Sequence, residues 1–125
     1  MKAQRKLLGI ALAGILGGAL AAVQSTNATL AAGPDGAAIY ASKCASCHKA
    51  DGKGGGPFPA LAGNKNVNAS DPGAIVTETV KGKGLMPAYS GKLSNAEIAA
   101  VLTYVRSNWG NKASAVTEAQ VAAVK

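Results

Sequence analysis

The sequence predicts an all-helical domain, and three observations predict it. Capping residues open four separate segments, at Asp35, Asp71, Ser94 and Thr117. Apolar residues recur at helical spacing behind them, most clearly at Ile98, Val101, Leu102 and Val105. Clusters of glycine and proline join the segments, and no stretch reads as a convincing strand.

The chain opens with a positive head, Met1-Lys2 to Arg5-Lys6, followed by an uncharged run from Leu7 to Val23 and by small and polar residues through Ala28 and Ala32. That order is the order of a secretory signal, so residues 1–32 are expected to direct export and residues 33–125 to form the working domain. The apolar run lies at the upper edge for a signal core and the lower edge for a membrane span, so a retained anchor is the alternative. Membrane contact is expected only in that case.

Without Lys2, Arg5 and Lys6 the thirteen basic residues fall to ten against six acids, a net charge of +4. This is mildly basic and excludes the strongly basic profile of a nucleic-acid binder. The 93 remaining residues hold five aromatic side chains with which to build a core. A domain of that size is marginal without a staple or a bound group.

A first helix is expected from Asp35, as cap, through Ile39, Tyr40 and Cys44 to about Ala50, with Tyr40 in the packing. The run Asp51-Gly52-Lys53-Gly54-Gly55-Gly56-Pro57 is too rich in glycine for a regular element and reads as a loop. It lacks the Gly-Lys-Ser/Thr helix start of a phosphate cradle. A short helix follows at Asp71-Pro72, with the acid as cap and the proline in the first helical position, apolar residues Ala74, Ile75, Val76 and Val80, and an end at Lys81-Gly82. A loop carries Gly84-Leu85-Met86-Pro87. The last long helix starts with the capping box Ser94/Glu97 and is expected to run past Trp109 to Gly110, with Trp109 as core or cover. Val116, Thr117, Gln120 and Val121 suggest a second capping box with a hydrophobic staple, hence a short terminal helix at about 117–124.

The chemistry concentrates in Cys44-Ala45-Ser46-Cys47-His48, which holds both cysteines and the single histidine. Helical spacing puts Cys44, Cys47 and His48 on one face. A ligand that uses two thiols and an imidazole together is haem, its vinyl groups taken by the sulfurs and its iron by the ring nitrogen. Zinc wants four ligands and is one short here. A thioredoxin-like dithiol expects strands around it, and a structural disulfide would close too small a loop to stabilise much.

These residues, in this order, resemble the monohaem, class I cytochrome c family over roughly residues 35 to 110. Gly36, Tyr40 and Cys44 carry the resemblance upstream; Pro57-Phe58-Pro59-Ala60-Leu61, Gly84-Leu85-Met86-Pro87 and Tyr104 carry it downstream. The resemblance implies a small fold of three to five helices wrapped around one covalent haem c. It implies that the Pro59 carbonyl accepts the Nδ1 proton of His48, that Leu61 packs on the porphyrin, and that Gly36 lets the first and last long helices cross near Tyr104. With no second histidine, and Met1 in the export segment, Met86 is the expected sixth ligand opposite His48.

An imidazole and a soft thioether favour ferrous iron and leave no position for a substrate. The acids Asp35, Asp51, Asp71, Glu78, Glu97 and Glu118 are scattered, so paired carboxylates for hydrolysis are absent. The expectation is a one-electron carrier, not an enzyme, working in the bacterial periplasm or on its membrane face. The stretches Phe58–Asn64, Met86–Tyr89, Tyr104–Arg106 and Trp109–Asn111 look most like cytochrome domains that serve bacterial dehydrogenases or terminal oxidases. That likeness implies a shuttle between a dehydrogenase or respiratory complex and an oxidase. Lys49, Lys53, Lys65, Lys81, Lys83 and Lys92 either ring the haem opening and steer an acidic partner or serve solubility. A thiol–disulfide oxidoreductase built on Cys44 and Cys47, and an open-site haem enzyme or gas sensor, are the alternatives.

Overall fold

The computed structural model describes residues 33–124, and the expected export signal lies outside them. Within them are five helices: α1 (Gly36–Lys43), α2 (Ala45–His48), α3 (Gly73–Lys81), α4 (Asn95–Val105) and α5 (Glu118–Ala122). The described residues contain no strand, and isolated bridges such as Gly55 to Phe58 and Lys83 to Met86 close tight turns. No helix among them is long and apolar enough to cross a membrane.

The helix starts follow local chemistry. Asp35 caps α1 by accepting the Ala38 N–H, and Ser94 with Glu97 closes the capping box of α4 in both directions. Thr117 and Gln120 repeat the device at α5, with Val116 and Val121 buried on either side of it as a staple. α5 packs on α4 and α3, and Thr103 Oγ1 accepts the Val116 N–H at 2.9 Å to fix its approach. At α3 the start falls one residue later than the sequence suggests. Pro72 is the cap, and Asp71 Oδ1 holds the Gly73 N–H at 2.9 Å in a turn of its own.

Two expected helices are shorter than their periodicity implies. The first is interrupted at Cys44, whose φ of −119° departs from helical values, and the turn that follows ends at His48 instead of Ala50. The cause is Tyr40, which is 2 % exposed and donates its hydroxyl to the Lys49 carbonyl at 2.7 Å. That bond accompanies a left-handed Lys49 (φ 71°), which no helix can continue. The last long helix stops at Val105 and does not reach Trp109. Side chains of Asn108 and Asn111 take the carbonyls of Tyr104 and Val105 at 2.8 Å each, satisfying the terminal acceptors. Trp109 then turns left-handed (φ 54°) and donates Nε1–H to the Ala50 carbonyl at 3.1 Å. Its ring lies 5.0 Å from that of Tyr40 and 5.7 Å from that of Tyr104, so it covers the core as expected.

α1 crosses α4 at Gly36. A Cβ there would strike the Ala100 carbonyl and come within 3.0 Å of the Tyr104 Cβ, so the crossing depends on a residue without a side chain. Ile98, Val101, Leu102 and Val105 turn the buried face of α4 inward to meet Tyr40, Val67, Ile75, Val76 and Val80.

Gly36→Ala should destabilise the protein by about 1–3 kcal/mol in denaturant unfolding, reversing the gain that alanine brings at an uncrowded helical glycine. Burial, reinforced by the nearby Cys44, Tyr104 and Asp51, pushes the Tyr40 hydroxyl up to about 12 from 10.0. The unfolded chain therefore ionises this phenol first. Its contribution to stability is complete below pH 10 and is lost as pH rises through 12. Tyr40→Phe should cost about 1 kcal/mol near neutral pH for the lost hydrogen bond, and show a smaller fall in stability across that alkaline window than the wild type.

Candidate cofactor site

The helices and the two glycine-rich loops enclose a cavity of ≈ 410 Å³. Part of its wall comes from the apolar core, with Val67, Ile75, Val101, Leu102 and Val105 facing it. The residues expected to bind the cofactor all reach this one cavity: Cys44, Cys47, His48, Pro59, Leu61 and Met86 line it.

His48 ends α2 and is 9 % exposed. Its Nδ1 lies 2.9 Å from the Pro59 carbonyl oxygen. A carbonyl can only accept, so Nδ1 is the proton-bearing nitrogen of this contact, and in the neutral ring Nε2 is the nitrogen left to act as a ligand. The Pro59 carbonyl is held in turn by its loop. Gly55 and Phe58 exchange backbone hydrogen bonds of 2.9 and 3.0 Å, and Leu61 and Ala62 donate to the Gly52 carbonyl at 2.7 and 2.9 Å. Gly54 (φ 63°) also gives its N–H to the His48 carbonyl at 2.9 Å. A Cβ on it would run into the Pro59 carbonyl group, so only glycine lets the loop lie against the ring.

Met86 comes from a separate segment. Lys83 and Met86 exchange two backbone bonds of 3.0 Å each, forming a tight turn that leaves Met86 half-buried at the cavity and Leu85 72 % exposed at its rim. Tyr89 donates its hydroxyl to the Lys43 carbonyl at 2.9 Å, tying this loop to the end of α1 beside Cys44.

Cys44 and Cys47 are unbonded and half-buried. Burial, with Cys47 adding to it, pushes the Cys44 thiol up to about 11 from 9.0. A thiol–disulfide enzyme needs the opposite, an attacking thiolate stabilised near neutral pH, so the cavity does not suit that chemistry. No three His, Cys, Asp or Glu side chains converge as a metal-holding group among the described residues, which leaves zinc without a site there. The donor set does fit haem c. Two thiols and an imidazole line one cavity, a thioether reaches it from another loop, and the remaining walls are mainly apolar, with Lys43, Asn64, Asn66, Glu78, Thr79 and Lys83 as their polar members.

Of the six lysines expected around the opening, Lys83 lines the cavity and is paired with Glu78 at 2.9 Å, while Lys92 lies 5.7 Å over the ring of Tyr89. Lys43 lines the cavity too and was not among the six; its place directly before Cys44 was the available signal. Sequence reasoning also missed Asn111, which is 3 % exposed. Its amide oxygen accepts from Gly63 N–H (2.9 Å) and Asn68 (2.8 Å), and its nitrogen donates to the Leu61 carbonyl (3.1 Å), fastening the Leu61 loop to the end of α4. A lone asparagine after glycine announces none of this.

Residues 31–105 match the family described as cytochrome c oxidase, cbb3-type, subunit III. The chain is similar to the fructose dehydrogenase cytochrome subunit of Gluconobacter japonicus, 34 % identical over 80 % of this chain and 24 % of that one. It is similar to the cytochrome c subunit of a quinone-dependent alcohol dehydrogenase from Gluconacetobacter polyoxogenes, 40 % identical over 69 % of this chain and 21 % of that one. It thus spans about a quarter or less of the dehydrogenase subunits it matches. Cytochrome c6 of a Picosynechococcus species is 34 % identical over 81 % of this chain and 92 % of its own length. With a five-helix fold, the Cys-x-x-Cys-His stretch at the cavity and relatives matched along nearly their whole length, the chain belongs to the cytochrome c family.

Proposed function

We propose that this domain is a one-electron carrier. In this reading Cys44 and Cys47 would hold a single haem c through thioethers, and His48 and Met86 would ligate its iron. One observation carries the reading: His48 Nδ1 is engaged by Pro59 at 2.9 Å, so the free Nε2 belongs to a cavity that Met86 also lines. When bound, haem c supplies a reversible Fe(II)/Fe(III) couple.

The chain's own residues set the terms of that couple. Pro59 fixes the tautomer and direction of the imidazole and makes Nε2 a better donor. The soft thioether of Met86 would favour the ferrous form and, together with His48, would leave the iron no open position for substrate, peroxide or oxygen. The apolar part of the wall, from Val67, Ile75, Val101, Leu102 and Val105, limits the solvent rearrangement that would accompany each change of charge. Leu61 forms part of that wall.

The relatives and the leader support a pathway. Dehydrogenase cytochrome subunits are among the similar proteins, and residues 1–32 read as an export signal. We place the domain in the periplasm, or on the membrane face if the leader is retained. There it receives electrons from a dehydrogenase or respiratory complex and delivers them to an oxidase. The exposed Leu85 at the cavity rim, with Lys43, Lys83 and Lys92 near it, suits brief docking of a partner whose surface is acidic.

Protein purified from a host competent for haem attachment should exceed the polypeptide mass by one haem and show a sharp α band on reduction. A colourless product with two alkylatable thiols would sink the proposal. Met86→Ala should lose the weak sulfur–iron band of the oxidised form, lower the reduction potential and open the ferrous iron to rapid carbon monoxide binding. An unchanged spectrum removes Met86 from the iron. Electron transfer with the physiological partner should slow by tenfold or more as ionic strength rises from about 10 mM to 0.5 M, while the partner-free potential changes little. Equal rates at both ends would show that the lysines do not steer.

A further inference from the structure

Arg106 is 0 % exposed and heads the fully buried side chains of the domain by size. It sits at the C-terminal cap of α4. Nη1 donates to the carbonyls of Val67 (2.9 Å) and Ala69 (2.8 Å), Nε to the carbonyl of Ser114 (2.8 Å), and Nη2 to the Ser114 hydroxyl (3.2 Å). No carboxylate pairs with it among the described residues, where the ion pair that forms joins Lys83 to Glu78. Its acceptors are dipoles, so they hydrate the guanidinium without neutralising it. A whole positive charge therefore stays inside the protein, where water screens it poorly.

The charge lies next to the cofactor cavity. Val105, which precedes Arg106, and Val67, whose carbonyl it holds, both line that cavity. Each reduction of the iron adds one electron and removes one unit of positive charge from the site, with no proton required. A buried cation beside the site opposes the more positive ferric state and favours the ferrous one. We propose that Arg106 is a fixed internal cation that raises the reduction potential of this cytochrome. The inference rests on the carrier reading above. It differs from tuning by surface lysines, whose fields salt screens within about 10 Å at 0.1 M. Arginine suits the place because its planar fork satisfies three carbonyls at once and never loses its proton.

The holoprotein and three variants test it, with midpoint potential, absorption spectrum and denaturant unfolding measured on each at mildly acidic pH and at two salt concentrations. Arg106→Gln removes the charge and should lower the potential while the α band and the sulfur–iron band stay in place. Arg106→Lys keeps the charge but loses the fork, so it should lose stability yet hold its potential near the wild type. Ser114→Asp leaves Arg106 in place and sets a carboxylate beside it at an exposed position. It should lower the potential without loss of stability, more at the lower salt concentration than at the higher, whereas the fall in Arg106→Gln should persist at both.

Equal falls in the lysine and glutamine variants would assign the effect to hydrogen bonding and overturn the proposal, and so would unmoved potentials in Arg106→Gln and Ser114→Asp. Should the Arg106 variants fail to fold, Ser114→Asp decides alone. A wild type without a thioether-haem spectrum brings down the carrier reading and this inference with it. A normal spectrum with an unmoved Ser114→Asp potential brings down the inference only.

Discussion

The hydrogen bond from His48 to the Pro59 carbonyl is the constraint around which the site is assembled. It fixes which ring nitrogen is free, and it does so from a loop that must lie flat against the helix end. Three further features exist to hold that approach: the stop at Lys49 imposed by Tyr40, the glycine at position 54, and the paired bonds of Gly55 with Phe58. Each gives the backbone an alternative to continuing the helix. The direction of the imidazole is therefore set by the chain's own backbone.

The second constraint is the small amount of core. Twelve buried hydrophobic residues form the cluster, and six of them, Tyr40, Val67, Ile75, Val101, Leu102 and Val105, also line the cavity. Core and cofactor wall are the same layer of side chains. A bound group filling the cavity completes packing that this short chain cannot complete with its own aromatic residues, so attachment and folding stability are linked. Polar pins compensate at the edges. Asn111 and Arg106 tie irregular segments to α4 through backbone carbonyls that would otherwise be buried without partners.

Much of this could be read from the residues. Capping boxes are local, so Ser94/Glu97 and Thr117/Gln120 announced their helices, and the Cys-x-x-Cys-His spacing announced its ligand class. The close approach at Gly36 followed from family resemblance and agrees with the geometry. Helix ends were read too long for a shared reason. Periodicity reports which residues face the core, and Trp109 does face it, but from a left-handed turn instead of a helix. Tyr40 and Asn111 act over nine and fifty residues of sequence, on Lys49 and on Leu61, and such capture of a distant carbonyl leaves no local pattern. Lys43 lies in the last turn of α1, and only the fold shows that this turn borders the cavity.

The stacked rings of Tyr40, Tyr104 and Trp109 carry a practical consequence. Trp109 is the chain's single tryptophan, and its ring touches Tyr40, which itself lines the cavity. A porphyrin absorbs where indole emits, so fluorescence from this residue is quenched while the pigment sits nearby and recovers once the two part. One intrinsic optical probe thus reports on pigment loading and on loss of native structure, without any label being introduced.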